Sequence, residues 1–112
     1  MVDFWEALDR LVASSTVVID RPGGQPHPRY PEAVYPLDYG FLKGTAGGDG
    51  DGIDLWRGSL PEANLDAVFC TVDLHKKDAE IKLVLGCTPA EQDAALAFHR
   101  SGGGGATQVL RP

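Results

Sequence analysis

The stretch from 66 to 86, DAVFCTVDLHKKDAEIKLVLG, limits the fold more than any other part of the chain. Two runs of strand character flank HKKD, which suits a hairpin turn, so the chain must build antiparallel sheet around them. In AEIKLVLG the alternation sets Ile81, Leu83 and Leu85 on one face and Glu80 with Lys82 on the other. One face is suited to a core; the other carries an acid and a base side by side.

The remaining elements are read around that hairpin. Phe4, Trp5, Leu8, Leu11 and Val12 recur at helical spacing, which predicts a short amphipathic helix over 3–13. TVVIDRP, from Thr16, reads as a strand stopped by Pro22 and Gly23-Gly24. QPHPRYPEAVYPLDYGFL carries four prolines and is expected to be extended and irregular until about Tyr35. IDLWRG, 53–58, is a third segment of strand character. Thr88-Pro89-Ala90-Glu91 is a capping box with proline at the first helical position, opening a helix to about Arg100. SGGGG, 101–105, breaks that helix and is expected as a loop, after which ATQVLRP can return as a last strand. No internal repeat or domain boundary is visible, so 1–112 is read as one domain. Short strands, one hairpin and helices at the two ends predict an α+β fold: a small, mostly antiparallel, OB-like β-barrel with flanking N- and C-terminal helices.

Composition narrows the partners. Ten basic against 16 acidic residues give a net charge of −6, which argues against a sequence-neutral nucleic-acid binder, since that needs a basic face to displace counterions. No apolar run approaches the roughly 20 residues of a membrane span, and the acidic, amphipathic start MVDFWEALDR is unlike a signal peptide. Cys70 and Cys87 have neither C-x-x-C spacing nor a histidine at zinc-finger distance, so buried free thiols and a reducing, cytoplasmic compartment are expected. Trp5, Trp56 and Phe98 offer apolar surface that could support a homo-oligomer.

The chemistry concentrates in DGDGIDLWR, 49–57, where Asp49, Asp51 and Asp54 stand at i, i+2 and i+5. Three carboxylates this close repel one another unless something positive sits between them, and hard divalent cations such as magnesium or manganese take oxygen ligands. Two calcium motifs fail. An EF-hand loop starting at Asp49 meets Ile53 and Asp54 where Asp or Asn and then Gly belong, and Leu60 where the bidentate Glu belongs. A G-G-x-G-x-D repeat starting at Gly47 meets Gly52 at its aspartate position and has no second copy. A solvated turn is the plain alternative, since Gly and Asp are common in loops.

VVIDRP, YPLDYGFLKGT, DGDGIDLW and the acid-x-Lys strand of DAEIKLVLG stand in an order and spacing that resemble soluble family I inorganic pyrophosphatases, across residues 16–86. The resemblance implies a magnesium-dependent hydrolase cleaving pyrophosphate to two phosphates. It implies that Asp49 and Asp54 are metal ligands, that Asp51 orients and deprotonates the attacking water, and that Tyr39 hydrogen-bonds around that aspartate. Asp20 stands where the family has a glutamate facing the site. Glu80 and Lys82 match the acid on metal and the lysine on phosphate. A further acid before the hairpin turn matches either Asp73 or Asp78. Arg29 stands near a phosphate-gripping lysine, and His99-Arg100 fall where the family has Tyr-Lys on its C-terminal helix. Pyrophosphate resists water because its charge repels a nucleophile, so a catalyst must neutralise the oxygens and supply hydroxide near neutral pH. Clustered carboxylates with bound magnesium, helped by Lys82, Arg29 and Arg100, would do so.

The chain also departs from the family. Only Pro31 to Val34 stand where the family has a β-hairpin bearing an active-site arginine, and Gly52 replaces the usual Pro or Glu. Two further readings therefore stand beside the first: a non-catalytic domain that binds divalent metal and phosphate or a nucleotide, and a hydrolase of a larger phosphoanhydride. Taken singly, Glu80 and Lys82 read equally as an exposed strand pair, Tyr39 as a packed ring and Arg29 as a solvated loop residue. His27, His75 and His99 have no paired ligand spacing and read as surface or structural residues.

Overall fold

A computed structural model describes residues 1–48 and 50–112; Asp49, one of the expected metal ligands, lies outside the described residues. The elements run α1 (Phe4–Ala13), β1 (Thr16–Arg21), β2 (Asp38–Lys43), β3 (Ile53–Arg57), β4 (Leu65–Asp73), β5 (Asp78–Leu85), α2 (Pro89–Arg100) and β6 (Gly105–Leu110). Asp3 caps α1 through the Glu6 amide, and Arg10 pairs with Glu6 one turn below. The capping box expected at α2 is formed in both directions between Thr88 and Glu91. Glu91 also accepts from the Ser59 amide, which ties the start of α2 to the chain leaving β3.

The strands form one mixed sheet of order β1-β2-β3-β5-β4-β6. The hairpin expected at 66–86 is its centre, with Asp73 opposite Asp78 and Phe69 opposite Lys82. The sheet is not closed into the barrel expected from the sequence: β1 and β6 are its two edges. It is mostly antiparallel, as expected, with one exception: β5 lies between β3 and β4 and runs parallel to β3, with Leu55 opposite Leu83. The physical reason lies in the apolar side chains on both faces, each of which has a helix to cover it. On one face Leu42, Leu55, Val68, Leu83 and Leu85 pack under Trp5, Leu8, Leu11 and Val12 of α1. On the other, Trp56, Phe69 and Val84 pack against Ala95, Leu96 and Phe98 of α2. Trp56 and Phe69 are fully buried, each worth about 1.5–3 kcal/mol relative to exposure.

Strand β2 was not expected from the sequence. It pairs with both β1 and β3, and Gly40 is what lets it approach: a Cβ there would stand 1.8 Å from the Val18 carbonyl oxygen. The proline-rich connection before it is also more regular than expected. It folds back on itself through backbone hydrogen bonds from Gly24 to Tyr35, Tyr35 to Gln25 and His27 to Ala33, and Pro26 bridges Val34. Among the described residues no helix is long and apolar enough to cross a membrane, and Cys70 and Cys87 are both free.

Candidate active site

The face of the sheet under α2 carries the expected polar residues, and the register brings three of them together. Tyr39 on β2 faces Trp56 on β3, which sets Asp54 two residues earlier on the same face. The parallel pairing of Leu55 with Leu83 then brings Lys82 beside Asp54, and Glu80 follows two residues away on β5. Lys82 Nζ donates to Asp54 Oδ2 at 2.7 Å and to Glu80 Oε2 at 2.5 Å, and the Tyr39 hydroxyl donates to the same Asp54 oxygen at 2.7 Å. The ammonium also sits 5.9 Å from the centre of the Tyr39 ring.

Burial makes this arrangement more than an exposed strand pair. The Lys82 and Glu80 side chains are 11% and 10% exposed, and Asp54 is 27% exposed. Burial by itself would lower the Lys82 pKa, but the charges and hydrogen bonds of Asp54 and Glu80 outweigh it and leave the pKa raised. Burial, followed by the Asp54 charge, drives the Tyr39 phenol far above its usual range, so it stays a donor. Behind the cluster, Trp56 Nε1–H donates to His99 Nε2 at 2.9 Å. Burial first, then Lys82, lowers His99 to about 4 despite the opposing Asp54 charge. His99 is therefore neutral at pH 7 and carries its proton on Nδ1.

The other expected residues fall around this cluster. Asp51 is exposed on the loop entering β3, and its backbone oxygen accepts from the Gly47 amide. Gly48 lies against β5, where a Cβ would stand 3.3 Å from Glu80 Cγ, so the glycine-rich loop passes directly over the cluster's acid. Asp20, at the end of β1, is exposed with Arg21 at 4.0 Å. Asp73 accepts from the amides of His75 and Lys76, so its carboxylate caps the hairpin turn, and the Lys76 amide is the first cause of its lowered pKa. Asp78 is half-buried opposite it and takes no part in that cap. Arg29 is exposed in the β1–β2 connection. Arg100 is exposed in the last turn of α2, and its Nε donates to the Ala106 carbonyl of β6 at 3.1 Å.

Magnesium or manganese would meet hard donors at these side chains. The acidic donors are all hard carboxylate oxygens, and among the described residues the side-chain hydrogen bonds to Asp54 both fall on Oδ2, which leaves Oδ1 for a cation. Among the described residues no three metal-binding side chains are already gathered, and Asp49 is outside them. The donor chemistry fits the ion. A groove of about 760 Å³ lies on the α1 face, lined by Leu8, Ile53, Cys70, Ile81 and Leu83, and reaches the cluster only at Glu80. Few polar groups converge there, so the site is placed at the cluster and not in the groove.

The sequence reading set His99 among surface or structural residues, beside its match to a family tyrosine, and took Trp56 as apolar surface for self-association; Trp56 is instead fully buried, and its bond to His99 joins β3 to α2. No local spacing signals a pair 43 residues apart. Comparison with protein families and with solved structures finds no match for this chain.

Proposed function

We propose that this protein hydrolyses inorganic pyrophosphate to two phosphates in a magnesium-dependent reaction. The observation that carries the reading is Lys82, a buried cation held between Asp54 and Glu80 beside a glycine- and aspartate-rich loop. Magnesium, when bound, would neutralise phosphate charge and lower the pKa of water. Asp49, Asp54, Glu80 and Asp78 would hold it, with Asp20 at the rim. Asp78 is preferred to Asp73 because the Asp73 carboxylate already caps the turn.

The chain's own groups divide the remaining work. Asp51, the exposed carboxylate of the loop, takes the proton of the attacking water. Tyr39 stays protonated and keeps Asp54 oriented. Lys82 binds a phosphate oxygen as a point charge, and Arg29 takes charge at the open side. Arg100 joins them only after leaving the Ala106 carbonyl. One water adds to one phosphorus, the bond to the bridging oxygen breaks, and that oxygen leaves with the second phosphate. A reducing cytoplasmic setting belongs to this reading, supported by the two free thiols.

A second reading, a domain that binds phosphate without turnover, is favoured by one feature: Lys82 already balances Asp54 and Glu80. Phosphate release from pyrophosphate, measured with and without magnesium, separates the two. Magnesium-dependent release that Asp51→Asn lowers a hundredfold or more is expected. No release at any magnesium concentration would leave only the binding reading.

A further inference from the structure

The β1–β2 connection carries a row of rings to which the hydrolysis of pyrophosphate gives no part. Tyr30, 49% exposed, lies over His27 with ring centres 5.2 Å apart. His27 stacks on Tyr35 at 5.9 Å with planes 9° apart, and Tyr35 meets Tyr39 at 5.5 Å. The Tyr39 hydroxyl ends on Asp54. An unbroken aromatic path thus leads from solvent to the carboxylate–lysine cluster.

A lone exposed tyrosine is ordinary, but this one stands over a ring that is fixed in place. His27 Nδ1 accepts from the amides of both Arg29 and Tyr30, at 3.0 and 3.2 Å, which locks the imidazole plane and leaves Nε2 to carry the proton. Three cations act on it from different segments. Burial is the first cause of His27's lowered pKa, and Arg21, Lys76 and Arg29 follow, from the end of β1, the β4–β5 turn and the connection itself. Among the described residues neither Lys76 nor Arg29 forms an ion pair. In a protein of net charge −6, unpaired cations gathered around a stacked ring are the complement of a ligand that is aromatic at one end and anionic at the other.

We infer that the site takes nucleoside di- and triphosphates, with the base stacked on the exposed ring of Tyr30 and the phosphates passing Arg29 and Lys76 towards Lys82. The inference rests on the phosphate-binding part of the proposed function and extends its ligand class. A single nucleotide suits the surface better than a nucleic-acid strand, because one ring platform and an acidic overall balance offer no extended basic track.

Calorimetry with ADP, methyl diphosphate and inorganic pyrophosphate, each with magnesium, tests it. ADP is expected to bind about tenfold tighter than methyl diphosphate, the effect of one stacked base. Tyr30→Ala should abolish that difference, Tyr30→Trp should keep it, and the affinity for inorganic pyrophosphate should not move in either variant. Equal binding of ADP and methyl diphosphate, or a loss in Tyr30→Ala shared by all three probes, overturns the inference. The two proposals fail separately. ADP binding that depends on Tyr30, with no phosphate release from pyrophosphate, upholds the nucleotide site and removes the hydrolase; pyrophosphate hydrolysis with no preference for the base does the reverse.

Discussion

Lys82 shows what one side chain contributes when it is placed between two carboxylates out of water. Its raised pKa means that its stabilising effect is complete below the pKa of an unfolded lysine and is lost as pH rises through the folded value, so it matters at every physiological pH. Lys82→Met keeps the stem and removes the charge, leaving Asp54 and Glu80 to repel each other with little solvent. Urea denaturation without magnesium should show a loss of about 3 kcal/mol, the usual cost of breaking a buried pair from one side. Magnesium should restore part of that loss by binding the two freed carboxylates, whereas phosphate binding should stay weaker by about 1.5–3 kcal/mol. An unchanged urea midpoint would mean that the lysine is not holding the acids together.

At the scale of elements, the edge of the sheet depends on one missing side chain. Gly40 lets β1 and β2 pair, and Gly40→Ala would push a methyl carbon against the Val18 carbonyl. The expected cost is about 1–3 kcal/mol, with faster amide hydrogen exchange in β1 than in β4 or β5; uniform exchange across the sheet would count against a local effect. Strand β2 also marks where sequence reading stopped. Prolines on its N-terminal side hid its start, and Gly40 interrupted the apolar alternation of Tyr39 and Phe41 with a residue that ordinarily weakens a strand. The hairpin, both helices and the pairing of Glu80 with Lys82 on one face were legible, because each depends on short-range periodicity or capping. The contact of Lys82 with Asp54 was not, since it follows from a parallel pairing of β3 with β5 that no local pattern encodes. The same holds for the contact of Trp56 with His99.

For the whole molecule, the burial of His99, with Lys82 beside it, makes stability sensitive to acid. A folded pKa of about 4 against an ordinary 6.5 means the unfolded chain binds the extra proton first. The contribution is therefore present above about pH 6.5 and is lost as pH falls towards 4, an effect of roughly 3 kcal/mol at full extent. His99→Gln keeps an acceptor for the indole without the titration, so its stability between pH 7 and 4.5 should fall less steeply than that of the unaltered protein. Parallel curves would show that other groups govern acid unfolding.

The insertion of β5 between β3 and β4 has a consequence in time. The β4–β5 hairpin can form early from neighbouring residues, but Lys82 meets Asp54 only once that finished hairpin has docked beside β3, across the intervening chain. Such non-local docking is the slow part of building a sheet. A refolding chain would therefore regain most of its strand signal before it could hold phosphate, and the delay between the two would time the closing of the sheet's centre.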